Sequence, residues 1–349
     1  MSSDAIVTGG SGWLGRRLLE ALHEGLEGVP RLSVPGRRRV RCLTRGDQDG
    51  SVVRRASPGA ECIDGDLRAP DTLRKLFEGA EGASVFHCAG MIHPRRVREF
   101  YRVNVGGTNA LLEAAMRAGA KRFIHVSSNS PLGCNPHREH RFDEESPYHP
   151  YMHYGRSKKQ AEDLVNARHE RGGIETVIVR APWFYGPGQP PRQTTFFTMI
   201  KNGKMPMVGG GENLRSMAYV DNLVQGLLLA EASADADGRT YWIADRRPYS
   251  MREIVTTVAD VLEQDFGMEV RRRWVNLPGI VSEGALLADK MIQGLGFYHQ
   301  KIHVLSEMNK NIACSVRRAE KELGYDPKVE LREGMARSVK ALLDEGSTF

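Results

Sequence analysis

Tyr154 and Lys158 are the residues of this chain best placed to do chemistry. In Tyr154-Gly155-Arg156-Ser157-Lys158 they stand at i and i+4, so on a helix they share one face. There the ammonium can stabilise a phenolate and make Tyr154 a usable proton donor or acceptor. A Tyr-x-x-x-Lys spacing alone is common surface decoration on amphipathic helices. This one follows Val126-Ser127-Ser128, so a hydroxyl from a strand end can converge with the phenol at the carboxyl edge of a sheet. A second signal lies far upstream. Thr8-Gly9-Gly10-Ser11-Gly12-Trp13-Leu14-Gly15 follows the apolar run Ala5-Ile6-Val7 and opens a helical pattern. That is the context in which a glycine turn seats a pyrophosphate on a helix N-terminus. Together the two signals predict hydride transfer involving a nicotinamide dinucleotide.

Such residues need a sheet edge to hold them, and the sequence supplies the pattern for one. Short apolar runs at Ala5 to Thr8, Val40 to Thr44, around Cys62 and Ile63, Ser84 to Cys88, Phe123 to Ser127 and Thr176 to Arg180 alternate with helical patterns. The helices expected between them include Leu14 to Leu26, Val105 to Ala118 and Tyr154 to His169. This order predicts an α/β fold, a Rossmann-type doubly wound parallel sheet with a smaller C-terminal substrate-binding lobe. The dinucleotide-binding domain is expected over 1–182 with a return segment near 216–246, and the substrate lobe mainly over 183–349. After Pro182 the texture changes to Pro/Gly-rich loops, as expected where excursions from a sheet build a substrate lobe.

The 349 residues can bury one large core. The net charge of +6 comes from 49 basic and 43 acidic residues spread along the chain. Its local concentrations, Arg37-Arg38-Arg39 and Arg271-Arg272-Arg273, read as solvated surface and not as a nucleic-acid patch. Cys42, Cys62, Cys88, Cys134 and Cys314 are scattered singly, and no charged-then-apolar leader precedes the first strand. Reduced thiols in a cytoplasm are the expectation. No apolar run reaches the length of a membrane span. The pairs His137/His140 and His299/His303 have metal-ligand spacing without a supporting cluster, so no metal is expected.

An ordered series of motifs makes the chain resemble the extended short-chain dehydrogenase/reductase family over nearly its whole length. The series is Thr8 to Gly15, Gly65-Asp66-Leu67, His87-Cys88-Ala89-Gly90, Asn104 to Thr108, Ser127-Ser128 to Gly133, Tyr154 to Lys158, Arg180-Ala181-Pro182 to Tyr185-Gly186-Pro187, and Tyr219-Val220-Asp221-Asn222. The resemblance implies that Tyr154 exchanges a proton with the substrate oxygen, that Lys158 binds the nicotinamide ribose and depresses the Tyr154 pKa, and that Ser128, with Ser127 the near alternative, hydrogen-bonds the substrate oxygen. It further implies a dinucleotide held by Gly9, Gly12, Trp13, Leu14, Gly15, Ala89, Gly90, Ser127 and Pro182. Asp66 would accept from the adenine amino group with Leu67 against the ring. It also implies a homodimer in which the helices Val105 to Ala118 and Tyr154 to His169 pair as a four-helix bundle.

Cofactor choice turns on the end of the second strand, where an acidic residue would bind a ribose 2′-hydroxyl. This strand ends in Thr44-Arg45. Arg45, with Arg16 as a second cation, favours NADP(H), with NAD(H) the alternative through Asp47. The expected substrate is a small molecule. Ser128-Asn129-Ser130 replaces the Thr-Asp-Glu triplet of sugar dehydratases, and Trp183-Phe184 suits a ring-shaped or apolar secondary alcohol or ketone. Arg215 keeps a nucleotide-sugar epimerase with tightly bound NAD as the alternative. In the 277–305 segment, Leu286, Leu287, Met291, Ile292, Leu295 and Phe297 form a stripe that reads either as a lid over a lipid-like substrate or as ordinary core.

Overall fold

The computed structural model of this chain describes residues 4–29, 32 and 38–347; Arg37 and the side chain of Asp47 lie outside what is described. Seven strands make the central sheet: β1 (Ala5–Thr8), β2 (Val40–Thr44), β3 (Glu61–Asp64), β4 (Ser84–His87), β5 (Arg122–Ser128), β6 (Glu175–Ala181) and β7 (Arg239–Trp242). Their order is β7-β6-β5-β4-β1-β2-β3, and every pairing is parallel. The inner strands read as apolar runs because helices cover both faces, leaving β1, β4 and most of β5 and β6 buried along their length. The strand order reverses between β1 and β4. That is the switch point at which open α/β sheets leave a crevice at their carboxyl ends.

Six strands were legible from hydrophobic runs, but β7 was not. Its sequence, Arg-Thr-Tyr-Trp, is short and begins polar, and only its parallel register with β6 makes it a strand. The stretch around Asn104 does not open a helix as expected. A helical turn at Arg98–Phe100 runs into a π-helical segment, Tyr101–Gly107, and continues as an α-helix over Thr108–Arg117. The extra backbone width falls where Asn104 points back at the β4 edge, a placement common for π-segments at functional sites.

Beyond β6 the chain leaves the sheet and builds short two-stranded pairings, Trp183–Tyr185 with Met217–Tyr219 and Pro206–Val208 with Val275–Leu277. A second apolar cluster, including Phe197, Ile200, Met217, Ile254, Val258 and Val339, fills this region. The helices Ile280–Gly294 and Gln300–Glu307 fold as a hairpin, with Gln293 and Ser306 reaching the start of the helix Met152–Arg171. Of the described basic runs, Arg39 pairs with Glu61 and Arg272 with Asp260 and Glu263 at the surface, whereas Arg38 forms a largely buried pair with Glu231. Among the described residues no helix is long and apolar enough to cross a membrane.

Candidate active site

The glycine turn lies at the switch point and is shaped by close approach. Gly9 adopts φ +75°, and a Cβ there would sit 2.7 Å from the Ala89 backbone nitrogen. A Cβ on Gly15 would lie 2.1 Å from the Gly9 carbonyl oxygen. Larger residues would push the β1 turn off the loop after β4 and the helix off the turn. The helix Trp13–Glu24 begins with Gly12 as N-cap, with no side-chain cap and no acid in its first turn. Its first amides are thus left for an anion, which is the fit a pyrophosphate requires. Trp13 and Leu14 lie in that turn. Trp13 Nε1 donates to the Pro187 carbonyl at 2.7 Å and its ring lies 4.7 Å from Phe184, tying the turn to the loop after β6 and Pro182.

At the outer end of β2 the charges differ from the expectation in two respects. Arg16 does not add a cation there, because its guanidinium donates to the Gly188 carbonyl at 3.0 Å on the other side of its helix. Asp66 already has a partner within its own loop. Its carboxylate accepts from the Arg68 backbone amide at 2.8 Å and from the Arg68 guanidinium at 2.9 and 2.6 Å, which hold it down to about 2. Arg45 is exposed beside this pair. The nearby carboxylates of Asp49 and Asp64 accept from the backbone amides of Arg45 and Gly46. Leu67 is buried beneath, against Gly107.

Tyr154, Lys158 and Glu162 stand four residues apart along the helix Met152–Arg171 and face β5. Gly155 lets the helix come this close, since a Cβ there would lie 2.4 Å from the Ser130 carbonyl oxygen. Ser128 meets the phenol. The Ser127 hydroxyl donates instead to Glu162, itself buried and bound by Arg180 at 2.8 Å and by the Tyr148 hydroxyl at 2.7 Å. The Lys158 ammonium donates to the Val126 carbonyl at 2.7 Å and lies 3.5 Å from His125 Nε2. Burial lowers it to about 8, with Glu162 pulling it back up.

Burial raises the Tyr154 phenol above its ordinary value, and hydrogen bonding with Ser128 opposes the rise. Beneath the site, Thr8 Oγ1, His87 and Thr108 Oγ1 form a buried chain with 2.8 Å links on both ring nitrogens, and burial lowers His87 to about 3. Asn104, also buried, accepts from the Met91 amide at 2.7 Å and donates to the Met91 carbonyl and to Ser157 Oγ, each at 3.0 Å. It thereby locks the loop that carries Ala89 and Gly90 to the Tyr154 helix.

The sequence profile of the NAD dependent epimerase/dehydratase family matches residues 5–244. The chain belongs to this family. It is an extended short-chain dehydrogenase/reductase, and an enzyme. The uncharacterized protein y4nL of Sinorhizobium fredii is 50% identical over 345 residues, 99% of this chain and 96% of the relative. The 3beta-hydroxysteroid-dehydrogenase/decarboxylase isoform 1 of Arabidopsis thaliana is 27% identical, covering 96% of this chain and 78% of its own. A 4-hydroxy-2-methyl-3-oxo-4-farnesyl-3,4-dihydroquinoline-1-oxide ketoreductase of Stigmatella aurantiaca is 33% identical over 73% of this chain and 72% of its own. Among solved structures, DesIV, a dTDP-glucose 4,6-dehydratase of Streptomyces venezuelae with NAD and TYD bound, superposes with a TM-score of 0.73 at 26% identity, covering 98% of this chain and 97% of that one.

The rest of this family member's site comes from the hairpin, which motif reading missed. His303 Nδ1 pairs with Asp289 at 2.7 Å, and the Tyr151 hydroxyl with Ser306 at 2.8 Å. Glu307 is close enough to raise Tyr154 and Cys134. The His299/His303 spacing therefore serves the hairpin itself, His299 capping the helix that carries His303. Arg215 donates to the Glu307 carbonyl, and its buried Nε has no partner among the described residues. Trp183 meets Phe196 edge-on, and Phe184 packs at a tilt against Trp13. No linear signal announces Glu307, and His303 shows in the sequence only as half of a metal-like spacing; both reach the site only through the hairpin's fold.

Proposed function

We propose that this enzyme transfers hydride between NADP(H) and a secondary alcohol or ketone on a ring-shaped or apolar substrate, with Tyr154 as proton donor and acceptor. The carrying observation is that Ser128 alone of the two serines faces the Tyr154 phenol, at the carboxyl edge beside the switch point. Gly9, Gly12, Trp13, Leu14 and Gly15 would hold the pyrophosphate, Ala89, Gly90 and Pro182 would line the nicotinamide end, and Leu67 would take the adenine. When bound, the cofactor supplies or accepts the hydride. Tyr154 and Ser128 hold the substrate oxygen between two hydroxyls, and the phenol gives that oxygen a proton on reduction. Lys158 holds a positive charge under the ribose and the phenol. Exposed Arg45 beside the Asp66–Arg68 pair supports a 2′-phosphate. The steroid and farnesyl-dihydroquinoline relatives support the apolar substrate class.

Residues 1–182 with the return segment 216–246 would bind the dinucleotide, and 183–349 mainly the substrate. The four-helix homodimer and a cytoplasmic location belong to the same reading. Arg215 favours a second one, in which its unpartnered buried Nε meets a sugar diphosphate in a nucleotide-sugar epimerase holding NAD throughout its cycle. Native mass spectrometry of freshly purified protein separates the two. The reductase reading expects an empty site that fills with added NADPH, whereas NAD retained through purification contradicts it and supports the epimerase.

A further inference from the structure

The helix Ile280–Gly294 is built inside out. Its buried positions are Ser282, Ala285, Asp289 and Gln293. Three of the four are polar, and each of the three is satisfied: Ser282 Oγ donates to the Leu305 carbonyl at 2.8 Å, Asp289 holds His303, and Gln293 donates to Asp289 at 3.0 Å while accepting from the His153 amide at 3.2 Å. Its outward positions are apolar. Ile280 is 76% exposed, Leu287 61%, Met291 59% and Leu295 76%. Spacings of seven, four and four residues place all four on one face. Phe297, Ile92 and Val304 add further exposed apolar surface from the adjoining loops and the second helix of the hairpin. The lid expectation for this stripe is thus reversed, because Leu287, Met291, Leu295 and Phe297 point away from the site. They do not form core either.

An outward apolar stripe of this size needs an apolar partner, and the surrounding charge says which. Loop residues 95–97 run beside 296–298, with the Val97 amide donating to the Gly296 carbonyl at 3.0 Å and the Tyr298 amide to the Arg95 carbonyl at 3.2 Å. This sets exposed Arg95 and Arg96 at the end of the stripe, with the Arg96 guanidinium 4.1 Å over the Phe297 ring. Lys290 and Lys301 are exposed on the two helices of the hairpin. Glu283, the acid on the outward face, is tied to Lys310 and Asn309. Apolar side chains rimmed by cations fit a bilayer interface with anionic headgroups.

We propose that the outward face of the Ile280–Gly294 helix docks the enzyme on an anionic lipid surface. Its inner face reaches the start of the Tyr154 helix through Gln293, and the second helix of the hairpin does so through Ser306, so docking places the bilayer on the outer side of the wall that bounds the substrate end of the site. The inference rests on this surface and holds whether the enzyme is a reductase or an epimerase.

The test is cosedimentation of the full-length protein with phosphatidylcholine vesicles and with vesicles in which about a third of the lipid is phosphatidylglycerol. Binding to the anionic vesicles is expected, weakened by salt, and reduced roughly tenfold or more in the variant L287E/M291E/L295E. R95A/R96A should weaken it as well, and both variants should melt like the wild type because the altered side chains are exposed. Three results would overturn the proposal: no sedimentation with anionic vesicles, equal binding to both vesicle types, or unchanged binding by the triple variant. A dimer that the triple variant converts to monomer, with no lipid binding by either protein, would assign the face to a second copy instead.

Discussion

Tyr154 is the residue on which the chemistry depends. Tyr154→Phe keeps the ring against Phe100 and deletes the proton, so kcat should fall by about 10²- to 10⁴-fold with little change in KM. Steady-state kinetics on the two proteins check this, and a variant that turns over normally would remove Tyr154 from the mechanism. Lys158 makes a pH prediction. Burial lowers its ammonium from 10.5 to about 8, so kcat/KM for reduction should decline as pH rises through about 8, and Lys158→Arg should carry the plateau to higher pH. The same shift has a stability consequence. Below about 8 the lysine is charged in both states and burial costs its full amount. Between about 8 and 10.5 the folded protein has released a proton that the unfolded chain still holds, so this contribution to stability rises with pH there. Melting wild type against Lys158→Met across that window should show the rise only in wild type. The sequence made Tyr154 and Lys158 legible through spacing. It favoured Ser128 but kept Ser127 as the near alternative, because the partners that claim Ser127, Glu162 with Arg180 and Tyr148, lie outside the motif.

At the scale of elements, the site is an arrangement of one strand end and one helix held at short range. Gly155→Ala puts a methyl group where only 2.4 Å separates it from the Ser130 carbonyl oxygen, so the helix must move off β5 and take the phenol with it. A loss of about 10²-fold in kcat/KM is expected from so small a displacement, together with a lowered melting temperature. Kinetics and a thermal melt read both, and undiminished activity would show that the close approach is not needed. Strands β1, β2, β4, β5 and β6 were readable because both faces of an inner parallel strand are buried, whereas the edge strand β3 showed only through Cys62 and Ile63. The π-segment around Asn104 and the polar inner face of Ile280–Gly294 were not. Each is set by tertiary partners, Met91 and Ser157 in the first case and His303, Leu305 and His153 in the second, and neither alters local periodicity in a readable way.

For the whole molecule, the β1/β4 switch point lies beside the strand end and helix that carry Ser128 and Tyr154. Arg45→Ala should weaken NADPH use by roughly tenfold or more while leaving NADH nearly unchanged, as expected for loss of one charge-assisted contact of about 1.5–3 kcal/mol. A matched pair of efficiencies measures it, and a wild type that prefers NADH would remove the 2′-phosphate assignment. Sedimentation equilibrium at micromolar protein should return the dimer mass; monomer alone would contradict the four-helix interface. The fold class was legible throughout because its motifs mark sheet edges, whereas the substrate end was not, since Glu307, His303 and Arg215 meet only in three dimensions. The most direct measurement of the central claim is NADPH oxidation by the wild type and by Tyr154→Phe with a panel of apolar cyclic ketones. Stoichiometric oxidation by the wild type that the variant loses is the predicted result. Absence of net oxidation with every ketone, alongside interconversion of a nucleotide sugar without added nicotinamide, would contradict it.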